Sequence, residues 1–491
     1  MPTRAHIRKD RLDAFPARII SRGQSQISVF QDRSRNSRPA VAITFSTASK
    51  HDSRKMGLGD LFVALETPRR DGHDFVAAAT AVGAAGALVS RWQPEIDLPQ
   101  LVVEDPLAAL HAAARRHREQ FPGTIIGITG SCGKTSTKEL LTRLLGPDRT
   151  AKTPGNFNNL IGVPLSLLQI DPDRHQYGVI EAGINRPGEM RQLAELIQPD
   201  HVIVTMIGPA HLELLGSLQG IAAEKAQLLS HPRTQTLYTL EETTQWPAFS
   251  EFSGSRVVLA EHLCRLTKLS DQVSYEIHSF KDGGPSGGGG AQIDLRGADG
   301  AIHQWRAPSV SPGMWRNAVL ALRVAGDLGI DPGLLQERLQ NWRPAVQRGS
   351  WREAWERQFY VDCYNANPAS FADAFIYFDQ AVNGSPRTFV LGGMKELGPD
   401  GPRWHREVGG RVPAKTGDSV IFVGDEAAEM AAGWQSRWPR PLLTHCATVP
   451  SVEAAREVVA TTAGPVFLKG SRAYRLEALL AEPRESEVIP C

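Results

Sequence analysis

Short apolar runs alternate with amphipathic stretches along most of the chain, and this alternation predicts its elements. In the middle of the sequence the runs 125–129, 178–182 and 201–206 read as strands separated by helical sequence. Further on, 359–361, 388–391, 419–423 and 466–468 repeat the pattern, each followed by helical or glycine-rich sequence. Strands that alternate with helices imply a mostly parallel sheet with helices on both faces. Ligands of such sheets gather at the carboxyl ends of the strands. An earlier stretch, 43–118, carries short apolar strands, a helical run at 75–82 and a strand at 87–90, and reads as a small α/β module.

The expected fold class is therefore α/β, in three domains. A small module spans 43–118, a central parallel-sheet domain 119–344, and a Rossmann-like, doubly wound domain 345–491. A hinge is expected at Trp342-Arg343-Pro344, because the residue before a proline avoids helix. Residues 283–290 (Gly-Gly-Pro-Ser-Gly-Gly-Gly-Gly) read as a flexible surface loop.

Composition narrows the function classes. A net charge of +1 with 22% charged residues gives no global field toward nucleic acid or a membrane surface. The five cysteines (Cys132, Cys264, Cys363, Cys446, Cys491) form no C-x-x-C pair, which argues against a zinc site or disulfide framework and suits the reducing cytoplasm. No apolar run approaches the ~20 residues of a membrane span. Residues 1–42 hold nine Lys/Arg against three Asp. They are expected as a solvated, partly disordered leader, since a nucleic-acid arm would need more aromatic stacking partners.

The strongest chemical signal lies at 125–139. An apolar strand runs into a glycine turn and then a threonine-rich helix start, with Gly130, Ser131, Cys132, Gly133, Lys134, Thr135 and Ser136 in sequence. Glycines let backbone N–H groups curl around phosphates, and the helix N-terminus adds partial positive charge. Lys134 can reach the β- and γ-phosphates, and the Thr135 hydroxyl can ligate Mg²⁺. The general phosphate loop, G-x-x-x-x-G-K-[ST], would need glycine at 128, where this chain has Ile128. The spacing here is G-x-x-G-x-x-G-K-T from Gly127 to Thr135. A plain glycine turn with an incidental lysine is the alternative, and the strand-turn-helix context argues against it.

Four further clusters sit near predicted strand ends. Glu181 closes the strand at 178–182 and can hold the cation that Thr135 touches, and a surface glutamate at a strand end is an equal reading of it alone. His211 in Ala-His-Leu-Glu would by itself be a structural histidine. Lys225 in Ala-Ala-Glu-Lys-Ala would by itself be a solvated helical lysine. Asn156, Asn158 and Asn159 in the loop after Thr153-Pro-Gly suggest hydrogen bonding to a ligand, against a plain turn.

Taken together, the triple-glycine loop and the stretch Thr153-Pro-Gly-Asn-Phe-Asn-Asn-Leu-Ile-Gly-Val-Pro-Leu-Ser resemble the Mur ligases, the ATP-dependent amino-acid and peptide ligases of peptidoglycan synthesis. The resemblance runs over ~450 residues from about residue 44. It is nearest to the members that add D-alanyl-D-alanine to a UDP-N-acetylmuramoyl-tripeptide. Asp52-Ser53-Arg54, Gly59-Asp-Leu-Phe-Val-Ala-Leu65 and Asp71-Gly-His73-Asp-Phe resemble their UDP-sugar module. Asp362-Cys-Tyr-Asn365-Ala-Asn367-Pro, Gly393-Met-Lys-Glu-Leu-Gly398 and Lys469-Gly-Ser471-Arg472 complete the pattern. The D-N-P-R signature of the diamino-acid-adding members is absent.

The resemblance implies these roles. Lys134 and the loop amides hold the ATP phosphates. Thr135 and Glu181 bind one of two Mg²⁺ ions; His211 and Lys225, the latter as a carbamate, bind the second. Asn317 lies near the adenine, and Arg348 and Asp362 approach the nucleotide from the C-terminal domain. Ser53, Arg54, Asp71, His73, Asn156, Asn158, Asn159, Asn365, Asn367, Ser471 and Arg472 contact substrates or nucleotide. A monomer is expected, with UDP-MurNAc-tripeptide and D-Ala-D-Ala as substrates and no nucleic-acid partner. Departures are Cys132 where the family has Asn or Ser, Cys363 where it has Ser, the shortened Met314-Trp-Arg-Asn317 block, and the leader. Open alternatives are a ligase for single amino acids, folate or cyanophycin, a non-catalytic nucleotide-sugar-binding paralogue, and a small-sugar kinase.

Overall fold

The computed structural model describes residues 59–67, 70–261, 272–281, 289–296, 301–382, 384, 386–437 and 445–481, together with three short strands before residue 43. Three sheets carry the architecture. The central one contains β1 (Thr124–Thr129), β2 (Tyr177–Glu181) and β3 (His201–Val204). Its order is Thr150–Lys152, β2, β1, β3, Thr236–Leu240, Ser255–Glu261, Gln272–Lys281, all parallel, then Gly289–Arg296 and Ile302–Pro308, antiparallel.

β1 is central because it is apolar on both faces. Ile125 packs into one core with Ile180, Leu193 and Val202, while Ile126 and Ile128 pack into the opposite core with Leu140, Leu144 and Val319. The second core lies under two helices, α1 (Lys134–Leu145) and α2 (Pro312–Asp327). α1 starts at Gly133 and ends at Gly146, both at positive φ, which a side chain resists and glycine does not. α2 starts with the Ser311 cap and Pro312, the usual helix-start pair.

The C-terminal sheet contains β4 (Arg357–Asp362), β5 (Thr388–Gly392) and β6 (Val466–Lys469). Its order is Ser350–Ala354, β4, β6, β5, Ser419–Val423 and His445–Val449, parallel from β4 onward. Helix α3 (Pro368–Ala381) follows β4, opened by a capping box in which Asn367 and Ser370 bond reciprocally.

This domain is anchored by a buried ion network. Arg387 is fully buried and donates from Nε (3.1 Å) and Nη2 (2.7 Å) to Asp418 Oδ2, and from Nη1 (2.7 Å) to Asp379. Removing one partner of a buried pair leaves an uncompensated charge. Asp418→Ala is expected to destabilise the C-terminal domain by about 3–5 kcal/mol, read from its urea midpoint.

Two sequence expectations change. The expected leader is partly in the fold: Arg18–Ile20 pairs antiparallel with Gln100–Val102, extending the sheet of Gly86–Val89 and Leu61–Val63. The glycine run is not loop throughout. Gly289 and Gly290 open a strand paired with Lys281 and Phe280; 283–288 lie outside the described residues. Ladder hydrogen bonds need no side chain, so composition alone misjudged that end. Among the described residues no helix is long and apolar enough to cross a membrane, and Cys132, Cys363 and Cys446 are free thiols.

Candidate functional site

The loop after β1 is built from its glycines. Gly130 has φ +149° and Gly133 φ +86°. A Cβ on Gly130 would lie 1.9 Å from Thr205 Oγ1, and one on Gly133 would lie 2.6 Å from the Asn317 amide. Asn317 therefore packs against the phosphate-loop turn. Ser131 N–H donates to the Met206 carbonyl (2.8 Å) and its hydroxyl to the Gly208 carbonyl (2.8 Å), so the segment after β3 braces the loop. Gly130→Ala is expected to weaken ADP binding about tenfold, because the new methyl forces Thr205 and the loop apart. Calorimetric titration with ADP checks this.

Two lysine side chains converge on this turn. Lys134 Nζ donates to the Gly130 carbonyl at 2.7 Å, and Lys225 Nζ reaches the same oxygen at 3.1 Å. Lys225 lies on the helix Leu218–Ala226 and is wholly buried. Desolvation, then the neighbouring Lys134 ammonium, push it well below the usual lysine range. Desolvation also pushes Lys134 down, and Arg348 of the C-terminal domain adds to this. Burial raises the Cys132 thiol.

The carboxylate beside the loop is Glu181, buried at the end of β2. Its two oxygens accept from Thr135 Oγ1 (2.9 Å) and Asn158 Nδ2 (2.8 Å), and its N–H donates to Thr153 Oγ1 (2.9 Å). Adjacent hydroxyl and carboxylate oxygens suit a hard cation such as Mg²⁺. His211 meets the C-terminal domain. It has φ +56° and its Nδ1 lies 2.5 Å from Glu396 Oε2, a residue of the C-terminal domain. That contact pulls Glu396 below the usual carboxylate range.

The C-terminal domain reaches the loop directly. Asn367 Nδ2 donates to the Ser131 carbonyl at 3.3 Å while its Oδ1 caps α3. Arg348 lies 4.0 Å over the Tyr364 ring, and Arg472 stands 5.7 Å from the same ring while pairing with Glu477 at 3.0 Å. Asp362 at the end of β4 pairs with the buried Lys469 at the end of β6. Ser471 Oγ accepts from Lys395 N–H (3.1 Å), and Asn365 Oδ1 accepts from the Ala366 N–H (2.9 Å).

Thus Lys134, Thr135, Glu181, Lys225, Asn158, Asn317 and Asn367 gather around one turn. Other expected contacts do not. His73 is buried; its Nδ1–H donates to Asp71 (2.7 Å) and its Nε2 accepts from Ser90 N–H (3.0 Å), so both nitrogens are spent within the module. Asp71, Glu66 and His73 converge closely enough for a metal, yet Arg91 already pairs with both carboxylates. Asn159 bonds the amides of Ile161 (3.2 Å) and Gly162 (2.8 Å) at a helix start, and Asn156 stands exposed. Ser53 and Arg54 lie outside the described residues. Sequence reasoning passed over Lys138, Thr153, Lys469 and Glu396 as site residues. Glu396 carried the signal used for Glu181, a carboxylate just beyond an apolar strand; Lys138 carried none.

Comparisons with known proteins fit this geometry. Residues 128–265 match the Mur ligase middle domain and residues 348–472 the Mur ligase, glutamate ligase domain. The chain is 32% identical over 442 residues to the UDP-N-acetylmuramoyl-tripeptide–D-alanyl-D-alanine ligase of Escherichia coli K12, spanning 89% of this chain and 93% of the relative. A crystal structure of MurF from Acinetobacter baumannii superposes with a TM-score of 0.77 at 25% identity, covering 97% of this chain and 98% of that one. The MurF ligase from Thermotoga maritima in complex with ADP gives 0.72 at 26% identity, covering 89% and 96%.

Proposed function

The chain belongs to the Mur ligase family, and from that premise we propose that it joins D-alanyl-D-alanine to a UDP-N-acetylmuramoyl-tripeptide, cleaving ATP to ADP and phosphate, in cytoplasmic peptidoglycan synthesis. The observation that carries the reading is the convergence of Lys134 and Lys225 on the Gly130 carbonyl, with the Thr135–Glu181 pair alongside.

The loop amides and Lys134 bind the ATP phosphates, and Asn317 borders the same turn. The terminal carboxylate of the tripeptide attacks the γ-phosphorus in line, giving an acyl phosphate and ADP. The deprotonated amine of D-Ala-D-Ala then attacks the acyl carbon, and phosphate leaves. Lys134 and Arg348 offset the negative charge on the transferring group. Thr135 and Glu181 fit one Mg²⁺; Lys225, converted to a carbamate, and His211 would serve a second. Such ions supply charge neutralisation at the phosphoryl oxygens. Burial favours the neutral Lys225 amine, the form that adds CO₂ to become an anionic oxygen donor.

An acyl phosphate must be kept from water. Asn367 on Ser131 and Glu396 on His211 hold the C-terminal domain against the loop, and the segment around Pro344 is the hinge that opens it. A phosphate-release assay tests the whole reading. Release should require both UDP-MurNAc-tripeptide and D-Ala-D-Ala, with single amino acids inactive as acceptors; release driven by a diamino acid on the dipeptide-charged precursor would overturn it.

A further inference from the structure

One buried ammonium near the loop has no part in the reaction. Lys138 lies one helical turn beyond Lys134 on α1, and its side chain is wholly shielded from solvent. A buried ammonium is tolerated only where its protons find acceptors. Lys138 Nζ donates to the Thr153 carbonyl (2.8 Å) and the Gly155 carbonyl (3.0 Å), and lies 3.2 Å from Glu139 Oε1. Three protons therefore meet three acceptors. The Glu181 carboxylate is farther, at 3.8 Å.

Two of the three acceptors belong to one loop. That loop, 153–159, carries Asn158, whose amide holds one oxygen of Glu181, and Thr153, whose hydroxyl receives the Glu181 N–H. Glu181 is bonded in turn by Thr135 of α1. The contacts close a ring: α1 to Lys138, to the loop backbone, to Asn158, to Glu181, to Thr135 and back to α1. Within the loop, Asn158 N–H bonds the Asn156 carbonyl (2.8 Å) and Gly183 N–H bonds the Asn158 carbonyl (2.8 Å). Neither bond ties the loop to α1. Thr153 is buried and its N–H bonds the Val179 carbonyl (3.1 Å), but Gly155 is exposed, has φ +52° and would meet nothing with an added Cβ, so packing does not hold residue 155. Lys138 does.

We propose that Lys138 is a positioning residue that fastens the 153–159 loop to the phosphate-loop helix, and through Asn158 sets the orientation of Glu181. It touches neither nucleotide nor peptide. The assignment rests on the proposed role of Glu181 for its effect on catalysis, but not for its effect on the loop.

The test uses the full chain with Lys138→Met, which keeps length and loses the donors. Hydrogen–deuterium exchange on the unliganded protein is expected to quicken at least about tenfold in 153–159, with β1 and β4 unchanged. Ligation kcat should fall about 10- to 100-fold, as for groups that orient a ligand, with KM for ATP within about threefold. Asn158→Ala should cause a similar kcat loss, and the double variant should lose little more than either alone, because both act through Glu181. Unchanged exchange in 153–159, or kcat losses that multiply, would overturn the proposal. Should Lys138→Met not fold, Lys138→Gln, which retains a donor, is read by the same two measurements. Loosened exchange without any ligase activity in the wild-type chain would instead remove the functional reading and leave the positioning role standing.

Discussion

Lys134→Ala is expected to lower phosphate release about a hundred- to a thousandfold while leaving the thermal midpoint within a few degrees of the wild type. The two halves have one cause. Lys134 is buried against the Gly130 carbonyl, and loss of water there disfavours its charge. Deleting it removes that desolvation cost, so the fold loses little. The bound phosphates reverse the balance, since the transferring group carries negative charge that Lys134 is placed to meet. A preorganised donor at such a centre supplies up to about 4 kcal/mol, a factor near a thousand. Release kinetics and a melting curve on the same preparation check both halves. A variant that melts early would instead make the loss of activity a folding effect.

Lys225→Ala should lose activity by roughly a hundredfold or more and regain part of it with short carboxylic acids such as formate or acetate. Truncation opens a space beside Gly130 that a small carboxylate can fill, restoring the anionic oxygens a carbamate supplies. Failure of rescue across a size series would remove the carbamate. Stability separates this lysine from an ordinary one. Its folded-state pKa lies well below the unfolded value, so the unfolded chain binds more protons and stability rises with pH up to the unfolded lysine range. Burying this lysine therefore costs stability at pH values below the unfolded lysine range. Lys225→Met, which never carries a charge, should melt at a higher temperature than the wild type in CO₂-free buffer, and the gap should narrow as pH is raised. A residue kept at a cost in stability is one held for chemistry.

The parts of the site legible in the sequence were those whose geometry is local. The strand-turn-helix around Gly130 and Lys134 was legible because glycines that can take positive φ stand beside the lysine in sequence, between a strand and a helix. Glu181 was legible because a strand end places a side chain at the sheet's carboxyl edge. Lys225 and His211 were not informative singly; the family resemblance, not periodicity, singled them out. His73 and Asn159 were singled out by resemblance and by composition, and the structure shows each bonded to backbone amides nearby, as polar side chains outside long helices and strands commonly are. Lys138 was invisible, since a lysine one turn into a helix ordinarily points to water.

By itself the sequence determined the alternation of strand and helix, the nucleotide-binding turn, and the family. Each of these follows from side chains a few positions apart or from a long run of matched motifs. The tertiary structure alone decided which residues meet across the chain. Lys225 arrives at Gly130 from 95 positions away, Asn367 at Ser131 from 236, and Glu396 at His211 from the other domain. Burial also belongs to that level: Lys138 and Lys225 become unusual lysines only when the packed sheet and its helices take water away from them.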